Sequence, residues 1–118
     1  MSGAHDYLRG ILFGSATGGV TGHPWTGILA AMDGVTSARS EESELLLRRL
    51  LTDFHRPLPL DPDAGFAHAM PPEDLLRSLA VQTLAEWDLH RHRDVIQPHA
   101  DPARHDILGS IARRALSA

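Results

Sequence analysis

Residues 71–96 read PPEDLLRSLAVQTLAEWDLHRHRDVI, and this stretch carries the strongest helix pattern in the chain. Proline and acidic residues stand at its start, where proline fits the first helical turn and carboxylates favour the positive end of the helix dipole. Apolar residues at helical spacing predict one buried face, made of Leu75, Leu76, Leu79, Ala80, Leu84 and Trp87. The pattern predicts a helix that continues to about Arg93 or Ile96 and is stopped by Pro98.

The same apolar periodicity predicts helices on both sides of this one. They cover residues 6–21, 26–35, 40–55 and 101 onward, the second ending at Asp33-Gly34. No alternating pattern typical of a strand extends over a convincing length. The sequence therefore predicts an all-α protein, a compact bundle of about five helices that forms a single domain over residues 1–118.

Glycine recurs at every fourth position of the first predicted helix, at Gly10, Gly14, Gly18 and Gly22. Residues four apart share a helix face, and each glycine in a helix costs roughly 1 kcal/mol relative to alanine. We therefore predict that this stripe allows a second backbone to approach closely. The alternative is a glycine-rich loop over the last part of the segment.

Composition narrows the range of functions. The net charge of -4 offers no basic surface for nucleic acid, so no nucleic-acid partner is expected. The chain has no cysteine, which excludes disulfides, thiolate metal sites and a cysteine nucleophile. No segment approaches the roughly 18 apolar residues of a membrane span, and no secretion signal opens the chain. We expect a cytoplasmic protein without membrane association.

The segment 9–24, RGILFGSATGGVTGHP, resembles the opening helix of the ADP-ribosylglycohydrolase family. That family begins with an arginine-glycine pair, glycines four apart, a glycine-aspartate step and a further glycine. Gly19 stands here where the family has the aspartate. The resemblance implies that Gly18, Gly19 and Gly22 contact an ADP-ribose-type ligand.

A second family motif places acidic residues and a threonine at the start of a leucine-rich helix, and Glu41, Glu42 and Ser43 occupy the corresponding positions. The resemblance implies that these three residues bind magnesium and that Glu41 and Glu42 serve catalysis by orienting metal and water. An ordinary capped helix N-terminus, stabilised by the helix dipole, explains every residue from Ser40 to Ser43 without a metal.

The family's full domain is much longer than this chain, and its aspartate is replaced. The sequence is therefore interpreted as a truncated, catalytically impaired relative that binds an ADP-ribose-type ligand or a protein partner. The alternative from another class is a non-catalytic helical interaction or oligomerisation protein.

The sequence contains two further candidate sites, one for a metal ion and one for RNA cleavage. Glu86, His90 and Asp94 are spaced one helical turn apart and could hold zinc or iron, although a solvated helix end explains them too. Arg49 and His55 on one predicted helix resemble the arginine-to-histidine motif of small all-α ribonucleases of toxin systems. The arginine would stabilise phosphate charge, and the histidine would act as general acid or base.

Overall fold

The computed structural model describes residues 3–13, 25–55, 58, 70–103 and 106–117. All regular secondary structure in these ranges is helical, which confirms the all-α prediction. A 3₁₀ turn at Gln97–Ala100 follows the fourth helix. The described residues form five α-helices, α1 (Gly3–Phe13), α2 (Trp25–Ser37), α3 (Glu41–Thr52), α4 (Pro72–Ile96) and α5 (Ile107–Ser117).

The helices pack against one another in successive pairs around a hydrophobic core. Helix α1 lies against α2 and α3, α3 lies against α4, and α4 packs along α5. Fully burying a large apolar side chain contributes about 1.5–3 kcal/mol, so this core is the main source of stability. Its largest fully buried apolar members are Leu8, Leu12, Ile28, Met32, Leu47, Leu50, Phe54, Leu76, Leu84, Ile96 and Leu108.

Helix α3 begins where the sequence predicts. Ser40 has extended backbone angles, and its Oγ accepts a hydrogen bond from the backbone N–H of Ser43 at 3.1 Å. This side-chain cap satisfies one of the amides that the first turn leaves free. The helix ends at Thr52, three residues before the predicted end at His55.

The predicted end of α2 at Asp33-Gly34 is wrong, because the helix continues to Ser37. Gly34 serves the packing of α1 on α2 instead of ending the helix. A Cβ built on Gly34 would lie 2.9 Å from the Cβ of Ala4, closer than real Cβ atoms approach one another. The absence of a side chain is what permits this contact.

Close packing at Gly10 was predicted from the glycine stripe, and the structure contradicts it. Gly10 is exposed, and a Cβ added there would meet nothing within 4 Å. Of the four glycines only Gly10 is described, since Gly14, Gly18 and Gly22 lie outside the described residues. The close helix contact that the stripe was expected to make occurs at Gly34.

Helix α4 runs to Ile96 as predicted, but it is interrupted at Asp88, whose φ of -167° and ψ of 89° are not helical. The Oδ1 of Asp88 accepts a hydrogen bond from the backbone N–H of Arg91 at 3.2 Å, as an N-cap does. Arg39 donates to the carbonyl oxygen of Trp87 at 2.7 Å. Asp88 therefore closes one helical segment and caps the next.

The last helix begins later than predicted, at Ile107 rather than at Asp101-Pro102. The Oδ1 of Asp106 accepts from the N–H of Gly109 at 2.9 Å and so caps the first turn. Asp101 forms a local turn instead, through a hydrogen bond from the N–H of Ala103. None of the helices described is both long and apolar enough to cross a membrane.

Candidate functional site

The predicted catalytic pair, Glu41 and Glu42, lies in the first turn of α3 and is exposed to solvent. An Oε of Glu42 accepts a hydrogen bond from Arg9 of α1 at 3.1 Å, and Arg9 also pairs with Asp6 at 2.9 Å. Carboxylates at this position stabilise the positive end of the helix dipole. The acidic turn thus stabilises α3 and links it to α1.

Ser43, the third predicted magnesium ligand, points the other way. Its side chain is fully buried, and its Oγ lies 2.5 Å from Nε2 of His5, itself only 5% exposed. The Ser40 hydroxyl donates to the same oxygen at 3.2 Å. The structure therefore separates Ser43, which joins α1 to α3 in the interior, from the two exposed glutamates.

The glycines predicted to bind a ligand, Gly18, Gly19 and Gly22, lie outside the described residues. The described residue nearest in sequence to them on the first helix is Phe13. Together with Asp6, Arg9, Gly10 and Arg49, Phe13 lines a shallow groove of about 370 Å³.

The residues of the predicted zinc or iron site lie on both sides of the α4 interruption at Asp88. Glu86 and His90 flank Asp88, so they are not joined by the regular helical turn that the spacing assumed. Asp94 lies on the second segment, where both of its carboxylate oxygens are bound by Arg48 at 3.0 and 2.6 Å. No group of three histidine or acidic side chains within the described ranges is arranged to hold a metal ion.

The hydrogen bonds from Arg48 hold the pKa of Asp94 below its ordinary value. The same contact raises the pKa of Arg48, so the two charges are mutually stabilised. Two parallel N–H to carboxylate bonds are the geometry that fixes orientation best. The pair therefore joins α3 to the second segment of α4.

His92 is the buried polar residue beside this ion pair, and only 1% of it is exposed. Its Nδ1 lies 3.1 Å from an Nη of Arg48, and its Nε2 lies 3.4 Å from Glu44. Glu44 in turn accepts from Arg91 at 2.6 Å. Burial is the main cause that lowers the pKa of His92, and the nearby Arg48 adds to it, while Glu44 opposes it.

The predicted pairing of Arg49 with His55 on one helix is wrong, since α3 ends at Thr52. The Arg49 guanidinium lies 4.1 Å from the centre of the Phe13 ring, and its Nε donates to Asp53 at 3.3 Å. His55 instead donates from Nε2 to the carbonyl oxygen of Thr52 at 2.9 Å.

His55 belongs to a set of donors at the C-terminal end of α3. Nε2 of His99 donates to the carbonyl oxygen of Leu51 at 2.8 Å, and Arg77 donates to that of Phe54 at 2.9 Å. These residues line a cavity of about 190 Å³. Carbonyls in the last turn have no partner within the helix, so these donors stabilise its end.

An apolar groove of about 300 Å³ lies between α4 and α5. Its apolar lining consists of the partly buried Ala85, Leu89, Ile111 and Ala115. Three exposed polar residues complete the lining, namely Gln82, Glu86 and Arg114. We name this surface the α4–α5 groove.

Glu86 and Arg114 carry opposite charges on the two sides of the α4–α5 groove. Glu86 belongs to α4 and Arg114 to α5. In the part of the chain that the structure describes, neither side chain forms an ion pair. This is unlike Glu42, Asp94 and Arg48, whose charges are used inside the fold.

The sequence patterns did not identify the α4–α5 groove or the two histidines that are buried among the described residues, His5 and His92. His5 shares its helical spacing with Leu8 and Leu12, and His92 continues the buried positions of α4 toward Val95. That spacing was the available signal for burial. No sequence pattern indicates the α4–α5 groove, because the groove depends on how α4 and α5 pack against each other.

Comparison with known proteins identifies no relative of this chain. No family model, no curated protein and no solved structure matches this chain.

Proposed function

We propose that this protein is a non-catalytic helical protein that self-associates, with the α4–α5 groove as its contact surface and a second copy as the partner. The observation that carries the proposal is an apolar groove flanked by a carboxylate and a guanidinium without ion-pair partners in the described chain. An apolar centre with a polar border is the usual composition of a protein interface. Opposite charges on one surface make that surface complementary to a copy of itself.

Three residues of the other predicted sites support this proposal, because their polar groups form contacts within the fold. Glu42 pairs with Arg9, and Ser43 is buried against His5. Asp94 is bound through both oxygens by Arg48. A side chain whose polar atoms already have partners within the fold is poorly placed to bind a substrate or metal.

Sedimentation equilibrium of the wild-type chain and of Leu89→Glu tests the proposal. We expect the wild type to show concentration-dependent association and Leu89→Glu to be monomeric, because a carboxylate in the groove would be desolvated on association. Ala115→Glu, on the opposite wall, should have the same effect. Circular dichroism melting verifies that each variant is folded.

Leu45→Glu is the matched control. Leu45 lies on α3, outside the α4–α5 groove, and 61% of it is exposed. This variant should associate as the wild type does. A wild-type chain that stays monomeric up to about 100 µM, well above the micromolar dissociation constants of moderate complexes, would refute self-association.

The ADP-ribosylglycohydrolase hypothesis stays a prediction and has a separate test. It requires magnesium-dependent thermal stabilisation by ADP-ribose that disappears in the Glu41→Ala, Glu42→Ala double variant. With the two glutamates exposed and Ser43 turned inward, we expect no such shift. A shift that the double variant abolishes would instead favour a ligand-binding function.

The ribonuclease hypothesis requires RNA cleavage that depends on His55. Because Nε2 of His55 is bound to a backbone carbonyl, we expect no cleavage above that of a His55→Ala control. A cytoplasmic location is part of the same proposal.

A further inference from the structure

We propose that two copies of this chain pair about a two-fold axis that runs along the α4–α5 groove, so that Glu86 of each copy contacts the partner's Arg114. This inference rests on the proposed self-association and specifies its symmetry and its charged contacts. It identifies Glu86 and Arg114 as the residues that determine the pairing.

The symmetry follows from the two walls of the groove. In a two-fold interface, if one residue contacts another, the reverse contact also forms. A two-fold axis along the groove places α4 of one copy opposite α5 of the other. The apolar residues Ala85 and Leu89 then face the partner's Ile111 and the partner's Ala115.

The charges select this axis over the other one available. A two-fold axis across the groove would place α4 opposite α4, so that the two copies of Glu86 approach each other. The axis along the groove replaces that repulsion with two Glu86–Arg114 contacts between copies. Like charges brought together at an interface are unfavourable, so the axis along the groove is preferred.

Such pairing also closes the assembly. Both copies use the same surface, so the dimer leaves no second groove exposed and no further copy can add through it. The expected species is therefore a dimer at all concentrations above its dissociation constant.

Charge reversal tests the inference. Glu86→Arg alone and Arg114→Glu alone each create two like-charge contacts across the interface, and we expect each homodimer to bind roughly tenfold more weakly. An equimolar mixture of these two variants should regain wild-type affinity as a heterodimer. In that mixture every cross-interface contact again joins a carboxylate to a guanidinium. The double variant Glu86→Arg, Arg114→Glu should also regain the homodimer.

The mixture separates contacts between copies from contacts within one chain. A repaired contact inside one chain would rescue the double variant but not the mixture. Asp33→Arg is the control, because Asp33 is exposed on α2 and lies outside the α4–α5 groove. This variant should dimerise as the wild type does.

The outcomes distinguish the two-fold pairing from self-association itself. If the wild type dimerises and Leu89→Glu dissociates it, but the mixture is not rescued, the two-fold register is wrong and self-association stands. A species larger than a dimer, or tighter binding by Glu86→Gln, also overturns the register. A monomeric wild type overturns both.

Discussion

Replacing Gly34 by alanine tests how closely α1 and α2 pack. The new Cβ would be built 2.9 Å from the Cβ of Ala4, whereas two carbon atoms in contact prefer about 3.5–4.0 Å. Neither Cβ can rotate away, since each is fixed to its helix backbone. The two helices must therefore separate by roughly half an ångström to an ångström to restore ordinary contact.

Two opposing effects set the magnitude. Extra atoms in a well-packed interface typically cost about 1–3 kcal/mol. Alanine returns about 1 kcal/mol of helix propensity relative to glycine. We expect Gly34→Ala to lower the free energy of unfolding by up to about 2 kcal/mol.

Gly10→Ala is the matched control, because Gly10 is also helical but a Cβ there meets nothing within 4 Å. That variant should gain about 1 kcal/mol from propensity alone. Urea unfolding followed by far-ultraviolet circular dichroism measures both changes. All chains should be compared at one low concentration, because self-association would add stability that grows with concentration.

The second substitution Ala4→Gly removes the contacting Cβ. In the Gly34→Ala background it should recover stability, with a coupling energy of about 1–3 kcal/mol in the double-mutant cycle. A Gly34→Ala variant as stable as Gly10→Ala, or additive effects of the two substitutions at the contact, would show that α1 and α2 do not pack this closely at Gly34.

Two further predictions concern α3 and its contact with α4. Burial lowers the pKa of His92, so the unfolded chain binds more protons than the folded one, and the free energy of unfolding should fall as pH drops below about 6.5. The difference between the urea midpoints at pH 7.5 and pH 5.5 should be smaller in His92→Gln than in His90→Gln, the control at an exposed site. Equal differences in the two variants would show that His92 does not cause the pH dependence. Ser40→Ala removes the hydroxyl that caps α3 and should cost about 1 kcal/mol, or about 4 °C in melting temperature. Ser110→Ala, at an exposed position of α5, is its control, and equal melting temperatures would show that the cap contributes nothing.

The sequence predicted the helices better than the candidate sites. The start of α3 was predictable because Ser40 and the acidic turn act locally on the nearest backbone amides. The interruption in α4 was missed, although Asp88 is a residue type that caps helices, because the apolar pattern continues across it. That single residue separates Glu86 from His90 and Asp94.

Two neighbouring residues of the predicted magnesium site point in different directions. Ser43 follows Glu42 directly, yet one is buried against His5 and the other is exposed. The difference comes from α1, which covers one side of α3. The spacing of residues in the sequence does not show which side of α3 is covered by α1.

The sequence by itself determined that this chain is helical and where most helices begin, because periodicity, caps and prolines act over a few residues. Only the tertiary structure decided which charges are paired within the chain and which remain available. Arg48 contacts Asp94 across 46 positions, whereas Glu86 and Arg114 flank a groove and form no ion pair within the described residues. Such pairings depend on how whole helices pack, and that packing is a property of the assembled core.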